Sequence, residues 1–322
     1  MKIKNSKPPL IAIIGPTAVG KTELSLQLAE QFHGEIISSD SRLFYRGMDI
    51  GTAKPSIEER ARVKHHLIDV ANPDETWSLG QFQKAAQEII EDIVARGKLP
   101  FLVGGTGQYF RAVTEGWLPP EVKADLRLRG ELEKMKEEKG ADWLHAKLAL
   151  LDPIAAEKID YRNVRRVIRA LEVIFRTGKR FSAQRKQRGE SPYHLLTIGL
   201  RRERPELYAR VDTRIEKMFE EGLLDEVQTL LAAGYTAELP SISALGYREC
   251  VKVLKGEMSQ AEAITEMKRV TRVFVRRQAN WFKNDDEAIK WFEASDAELF
   301  IQTEKFIRNW SEEMRVSSFF ST

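Results

Sequence analysis

Short apolar runs alternate with longer stretches of helical periodicity in the first part of the chain. Leu10–Ile14 is rich in β-branched residues, which is typical of a buried strand, and apolar residues recur at helical spacing from Leu24 to Phe32. Ser78 is the predicted N-cap of a second helix that ends near Gly97. Further predicted strands cover 35–40, 65–70, 100–103 and 195–200. Strands that alternate with helices predict an α/β fold with a parallel sheet and flanking helices.

The pattern changes near residue 117. Two charged helical segments, 121–151 and 163–177, follow without a strand between them, which predicts an all-helical insertion. We therefore expect an α/β core formed by 1–116 and 190–322, with C-terminal helices, and a helical insertion at 117–189. The last long helix begins near Ser259, and beyond Asp285 the pattern predicts no definite element.

The first candidate functional motif lies at the turn between the first strand and the first helix. The sequence there reads G-P-T-A-V-G-K-T and matches G-x-x-x-x-G-K-[ST] in full. In such a P-loop, backbone N–H groups and the helix N-terminus face a bound phosphate. Lys21 supplies a cation, and the Thr22 hydroxyl is a candidate ligand for Mg²⁺. The predicted diphosphate-binding loop consists of Gly15, Pro16, Thr17, Ala18, Val19, Gly20, Lys21 and Thr22.

Asp40 is the only carboxylate at the end of an early predicted strand. Because the carboxyl ends of parallel strands face the ligand crevice, we expect Asp40 to lie near the P-loop. The strand at 100–103 runs into a G-G-T-G tract rather than into the aspartate of nucleotide-hydrolysing P-loop proteins, which disfavours an ATPase. Asp40 therefore has two candidate roles, general base and second ligand of Mg²⁺.

The distribution of charge is more informative than its total. The net charge is only +3, but the interval from Arg162 to Arg188 holds ten cations and a single acid, Glu172. Like charges at helical spacing repel each other, and a polyanion would relieve the repulsion, so this patch predicts nucleic-acid binding. A second basic row follows on the last long helix at Lys268, Arg272 and Arg276.

Composition excludes several other classes. The 322 residues are 42% hydrophobic and 31% charged, as in globular proteins, and no apolar run is long enough to span a membrane. The apolar segment after the basic N-terminus is too short for a signal peptide, so we expect a cytoplasmic protein. The single cysteine, Cys250, excludes an internal disulfide and a cysteine-based zinc site, and a core role is favoured. His65 and His66 are adjacent on a predicted strand and point to opposite faces, which argues against joint metal ligation.

Several tracts together resemble the tRNA dimethylallyltransferase family, also called tRNA isopentenyltransferases, in its bacterial form. The resemblance extends from residue 15 to about 283, and the combination of motifs is far more specific than the P-loop alone. The matching tracts are 15–22, Asp40-Ser41, 45–55 (Y-R-G-M-D-I-G-T-A-K-P), 65–69, Gly104-Gly105-Thr106, 169–173, Gly246-Tyr247-Arg248 and Arg276-Arg277-Gln278 with Trp281.

The resemblance implies transfer of a dimethylallyl group from its diphosphate to N6 of the adenosine 3′-adjacent to the anticodon in tRNA, with Mg²⁺ as cofactor. It implies Asp40 as general base, Thr106 near the reacting amine, and Lys21 on the leaving diphosphate. An arginine of the later basic helix, Arg214 or Arg210, is expected to assist Lys21. The implied tRNA contacts are Asp40, Ser41, Arg42, Leu43, Thr106, Arg129, Arg165, Arg166, Val167, Ile168, Arg169, Ser243, Gly246, Tyr247, Arg248, Arg276, Arg277, Gln278, Asn280, Trp281 and Lys283.

The chain departs from the family pattern at Leu43-Phe44, Gln108 and Asn280, and it has no Cys/His zinc finger near its C-terminus. We expect a monomer whose partners are tRNA and dimethylallyl diphosphate. A P-loop small-molecule kinase would share the first βαβ unit but leaves the basic helices unexplained. An adenylate isopentenyltransferase keeps the prenyl chemistry without tRNA. An RNA-binding protein whose loop only senses a nucleotide would bind RNA without turnover.

Overall fold

The structure is a computed structural model of the chain and describes residues 7–117, 120, 122–184, 190–282 and 286–313. Its strands are β1 (Pro9–Ile14), β2 (Glu35–Ser38), β3 (His65–His66), β4 (Pro100–Gly104), β5 (His194–Arg201) and β6 (Lys290–Glu293). Its helices are α1 (Lys21–Gln31), α2 (Ile57–Arg62), α3 (Leu79–Ala95), α4 (Gly107–Thr114), α5 (Leu126–Lys139), α6 (Ala141–Leu151), α7 (Pro153–Lys158), α8 (Val164–Thr177), α9 (Arg204–Glu220), α10 (Leu223–Ala232), α11 (Tyr247–Leu254), α12 (Gln260–Ala279) and α13 (Leu299–Glu313).

The strands form one parallel sheet in the order β3-β2-β4-β1-β5-β6. β1 lies between β4 and β5, with Ile13 opposite Val103 on one side and Ile198 on the other. Residues 10–14 are at most 1% exposed, as expected for a strand that is covered on both faces. The predicted α/β class with flanking helices is therefore confirmed.

Two predicted strands are shorter than expected. β2 ends at Ser38, so that Asp40 lies two residues beyond it, and β3 covers only His65–His66. Leu67 and Asp69 have φ angles of 59° and 56°, in the left-handed region that a strand cannot include. β6 and α13 were not predicted at all, although β6 completes one edge of the sheet by pairing with β5.

The chain divides into two compact units, Met1–Thr114 with Ser191–Thr322, and Glu115–Glu190. The first unit contains the sheet, and α1 and α9 contribute Leu26 and Val211 to its core. No helix among the described residues combines the length and the apolar character needed to cross a membrane.

The second unit consists of α5 to α8 around a separate apolar core. Leu148, Val167 and Ala170 are all 0% exposed there. Gly140, with a φ of 94°, separates α5 from α6 within the helical segment predicted from the sequence. The buried Asp152 caps the N-terminus of α7 by accepting the Ala155 N–H at 3.1 Å, and it also accepts the Ser182 N–H and hydroxyl.

Candidate active site at the carboxyl end of the sheet

The P-loop links β1 to the first turn of α1. Gly15 and Gly20 have φ angles of 148° and 117°, and a Cβ on Gly15 would lie 2.6 Å from the Leu200 carbonyl oxygen. Ala18 also has a positive φ, 66°, although it is not a glycine. This close packing on β5 fixes a loop that leads directly into the helix N-terminus, where unpaired N–H groups favour an anion.

Lys21 lies over the loop that precedes it. Its ammonium donates to the Gly15 carbonyl at 3.0 Å and to the Pro16 carbonyl at 2.8 Å. Burial lowers the pKa of Lys21 to about 8; the charge of Asp40 opposes this effect and that of Arg214 adds to it. The three side chains therefore lie within electrostatic reach of one another.

Arg214 and Arg210 occupy α9 but differ in what they face. Arg214 is partly buried, burial lowers the pKa of its guanidinium, and the charge of Asp40 counteracts that effect. Arg210 is exposed and donates from Nε to the Ala18 carbonyl at 2.9 Å. From the sequence alone, Arg214 and Arg210 were equal candidates for contact with the diphosphate. In the structure Arg214 lies towards Asp40, whereas Arg210 contacts the outside of the P-loop.

Arg202 makes a second outer contact with the loop. Its side chain is 11% exposed, and it donates to the carbonyls of Val19 and Ala294 and pairs with Glu206. Because Arg202 and Arg210 hold the carbonyls of Val19 and Ala18 from outside, they fix the orientation of these peptides. The motifs of the sequence did not point to Arg202, and they pointed to Arg210 only as an alternative to Arg214 on the diphosphate.

Asp40 begins a tight turn after β2. Its carboxylate accepts the Arg42 N–H at 3.0 Å, and its own N–H donates to the Ser38 hydroxyl at 3.3 Å. Ser41 forms a side-chain hydrogen bond with Tyr109, a residue that the sequence analysis did not single out, and burial raises the pKa of Tyr109. Asp40 thus lies beside the P-loop, as we expected from the sequence.

Thr106 lies between two glycines that pack against the end of α12. A Cβ on Gly105 would lie 2.6 Å from the Gln278 amide nitrogen, and one on Gly107 would lie 2.5 Å from the Trp281 Cβ. Arg111 lies 5.5 Å from the centre of the Trp281 ring and donates to the Trp281 carbonyl. Thr106 is thus held close to Trp281, which is 36% exposed.

The proposed RNA contacts divide by exposure. Those that present an exposed residue are Arg42, Arg165, Arg166, Ser243, Arg248, Arg276, Arg277, Asn280 and Trp281, whereas Asp40, Ser41, Leu43 and Thr106 are half-buried. Lys283 lies outside the described residues. The side chains of four predicted contacts lie in the protein interior at 0–5% exposure, namely Val167, Ile168, Tyr247 and Gln278, and their contact with RNA stays a prediction. Gly246 is buried as well.

The basic patch of α8 is less uniform than its sequence indicated. Glu172 is 0% exposed and accepts a two-pronged contact from Arg129 at 2.8–2.9 Å and a further one from Arg169 at 2.6 Å. Burial opposes ionisation of Glu172, but these hydrogen bonds lower its pKa to about 2. Arg129 therefore joins α5 to α8 through Glu172, whereas Arg169 contacts Glu172 within α8 and donates to the Pro120 carbonyl at 3.0 Å. Both side chains are engaged within the second unit, and their contact with tRNA stays a prediction.

Most cations of the second basic row, Lys268, Arg272 and Arg276 on α12, are also paired with acids. Lys268 pairs with Glu216 and Arg272 with Asp212, so that two of its three cations join α12 to α9. Elsewhere on α12, Arg269 is exposed but pairs with Glu266, and Arg276 and Arg277 are exposed at the end of the helix.

A carboxylate that the sequence analysis missed organises the loop at 49–51. Glu226 on α10 accepts the N–H groups of all three of these residues at 2.7–3.1 Å and the Tyr247 hydroxyl at 2.6 Å. Gly51 packs directly on the Tyr247 ring, where a Cβ would lie 2.6 Å away. Arg214 donates to the Thr52 carbonyl at 3.4 Å, so this loop also borders the P-loop region.

Lys54 forms buried contacts within the segment around this loop. Its side chain is 1% exposed and its ammonium contacts Asp49, Asp69 and the Tyr45 carbonyl. The buried Cys250 has the core role favoured from the sequence.

Oxygen ligands for Mg²⁺ are sparse. Among the described residues no group of three His, Cys, Asp or Glu side chains is arranged to hold a metal ion. Thr22 is exposed at the start of α1, and the Asp40 carboxylate is partly solvent-accessible. These hard oxygen donors suit Mg²⁺, which is commonly held by few protein ligands together with substrate phosphates.

Comparison with known proteins identifies the family. The family model described as IPP transferase matches residues 43–285. The tRNA dimethylallyltransferase of Roseiflexus sp. is 52% identical over 302 residues, which cover 94% of this chain and 98% of the relative. That of Herpetosiphon aurantiacus is 48% identical and covers 94% of this chain and 95% of the relative.

Solved structures agree. The crystal structure of the tRNA isopentenylpyrophosphate transferase from Bacillus halodurans matches with a TM-score of 0.72 at 44% identity, covering 96% of this chain and 98% of that one. A eukaryotic dimethylallyltransferase acting on tRNA matches with a TM-score of 0.77 at 28% identity, covering 94% and 80%. The resemblance found in the sequence motifs is thereby confirmed, and the chain belongs, with these enzymes, to the IPP transferase family.

Proposed function

We propose that this chain transfers a dimethylallyl group from dimethylallyl diphosphate to N6 of the adenosine 3′-adjacent to the anticodon in tRNA and releases diphosphate. The observation that carries this proposal is the convergence of Lys21, Arg214 and Asp40 beside a P-loop. Two cations and a helix N-terminus suit a leaving diphosphate, and a carboxylate beside them suits an amine that loses a proton.

The reaction breaks the bond between the prenyl C1 and the diphosphate oxygen and forms a bond between C1 and N6. Negative charge develops on the departing oxygen, and Lys21, Arg214 and the loop N–H groups stabilise it. The exocyclic amine loses one proton, which the Asp40 carboxylate accepts as general base. Thr106 orients the amine.

Mg²⁺ is part of the proposal. Thr22 would supply one ligand and Asp40 a second, with the remaining positions taken by diphosphate oxygens and water. When bound, the ion neutralises charge on the leaving diphosphate.

The acceptor enters from the side of Trp281. The ring of Trp281, covered in part by Arg111, lies close to the glycines that flank Thr106 and offers an aromatic face to an unstacked base. Arg276 and Arg277 are exposed on the same end of α12 and suit the RNA backbone. Arg165 and Arg166 provide a second candidate contact on the helical unit. A monomer in the cytoplasm remains our expectation.

The test uses purified protein, Mg²⁺ and unmodified tRNA with adenosine 3′ of the anticodon. One vessel receives dimethylallyl diphosphate and a parallel vessel ATP, and the nucleosides are analysed by mass spectrometry. We expect N6-prenylated adenosine only with the prenyl donor, and a loss of at least about a hundredfold in single-turnover rate for Asp40→Asn at a saturating concentration of the donor. Consumption of ATP without prenylation would indicate a P-loop kinase, and prenylation of free adenylate instead of tRNA would indicate an adenylate isopentenyltransferase.

A further inference from the structure

Gln278 connects the end of α12 to the P-loop. Its side-chain carbonyl accepts the Thr17 N–H at 2.8 Å, across 261 positions of sequence, and the residue is only 5% exposed. This hydrogen bond ties a buried side chain to a half-buried loop, and its loss would leave the Thr17 N–H without this acceptor.

The contact fixes one peptide of the loop. The N–H of Thr17 and the carbonyl of Pro16 belong to the same planar trans peptide and point in opposite directions. Gln278 holds the N–H, and the Pro16 carbonyl accepts the Lys21 ammonium at 2.8 Å. The orientation of this peptide therefore determines where Lys21 finds its acceptor.

The same side chain also touches the segment on the acceptor side. The amide nitrogen of Gln278 occupies the space beside Gly105, where a Cβ would lie 2.6 Å away. Trp281, three residues after Gln278, packs on Gly107. Thr106 lies between these two contacts. One end of α12 thus borders both the P-loop and the Thr106 segment.

We propose that Gln278 is a positioning residue that orients the Pro16–Thr17 peptide, and through it Lys21, for the diphosphate, and that joins this loop to the Thr106 segment. This inference rests on the proposed function. It differs from the role that the sequence motif implied, because Gln278 acts on the prenyl donor and not on tRNA.

The decisive variant is Gln278→Met, which keeps the length of the side chain but removes the acceptor. We expect the KM for dimethylallyl diphosphate to rise about tenfold, with less than a twofold change in the KM for tRNA. Calorimetric titration with dimethylallyl diphosphate in the absence of tRNA should show the same loss of affinity. Amide hydrogen exchange of the P-loop peptide should become faster.

Thr271→Val is the matched control. Thr271 is on the same helix and 8% exposed, and its hydroxyl has no hydrogen-bond partner among the described residues, so removing it should change none of these quantities. Gln278→Glu keeps an oxygen acceptor in nearly the same shape and should retain slow exchange of the loop even if Gln278→Met folds poorly.

A rise in the KM for tRNA with unchanged donor affinity would overturn the inference and restore Gln278 as an RNA contact. Fast loop exchange in Gln278→Glu, or unchanged donor affinity in Gln278→Met, would overturn it as well. If the wild-type protein binds the prenyl donor but does not prenylate tRNA, the proposed function fails. Calorimetry and hydrogen exchange would then still decide the role of Gln278.

Discussion

The lowered pKa of Lys21 predicts that binding of the prenyl donor weakens in mildly alkaline solution. In the free protein burial lowers the pKa of this ammonium to about 8, from a usual value of 10.5. A bound diphosphate favours the protonated form and raises the pKa again. The affinity for the prenyl donor should therefore be highest well below pH 8 and should fall as the pH rises through 8, because the free protein must then take up a proton in order to bind.

The size of the effect follows from the pKa. About nine-tenths of the Lys21 side chains are protonated at pH 7, but only about 3% at pH 9.5. If the bound form stays protonated, affinity falls about thirtyfold over this range, or roughly 2 kcal/mol.

The assay is calorimetric titration of the protein with dimethylallyl diphosphate at half-unit steps from pH 7 to 9.5, without tRNA. The ligand suits this range because phosphate esters lose their last proton near pH 6. Lys21→Arg is the control, since a guanidinium stays protonated throughout and its affinity should be flat whatever its absolute value. A flat wild-type profile, or an equally steep decline in Lys21→Arg, would refute the reasoning.

Three further predictions test single side chains. Arg214→Ala should lower kcat/KM for the prenyl donor about a hundredfold or more, and Arg210→Ala less than tenfold, because only Arg214 approaches the reacting groups. Glu172→Gln should lower the free energy of unfolding of the helical unit by about 3 kcal/mol in denaturant titrations, with the exposed Glu138→Gln as a neutral control. Glu226→Gln should speed amide exchange in the loop at 49–51, since an amide group supplies fewer acceptors than a carboxylate.

Local pattern was sufficient for the central elements of the fold. β1, the P-loop and α1 are contiguous, and each is specified by its own residues, so strand, loop and helix were predicted within a few positions. β6 was missed because four residues, Lys290–Glu293, carry too little periodicity to identify a strand. Its formation depends on pairing with β5, more than 80 positions away in sequence.

The number of charged residues in a segment was a poor guide to its exposed charge where the structure pairs and buries these residues. α8 carries several arginines and a single acid, Glu172. The sequence does not show that this buried carboxylate is contacted by Arg169 and, from α5, by Arg129. Likewise, a motif can single out Tyr247 and Gln278 without showing that both face inward.

The sequence by itself determined the phosphate loop, the α/β architecture and the family, because these depend on contiguous patterns and motifs. Only the tertiary structure decided which distant groups meet. Parallel strands end at one edge of the sheet, which brings Lys21 and Asp40 together, and α9 adds Arg214 from a third segment. Burial, which is a property of the whole chain, then lowers the pKa of Lys21 and assigns Gln278 to the loop rather than to the surface.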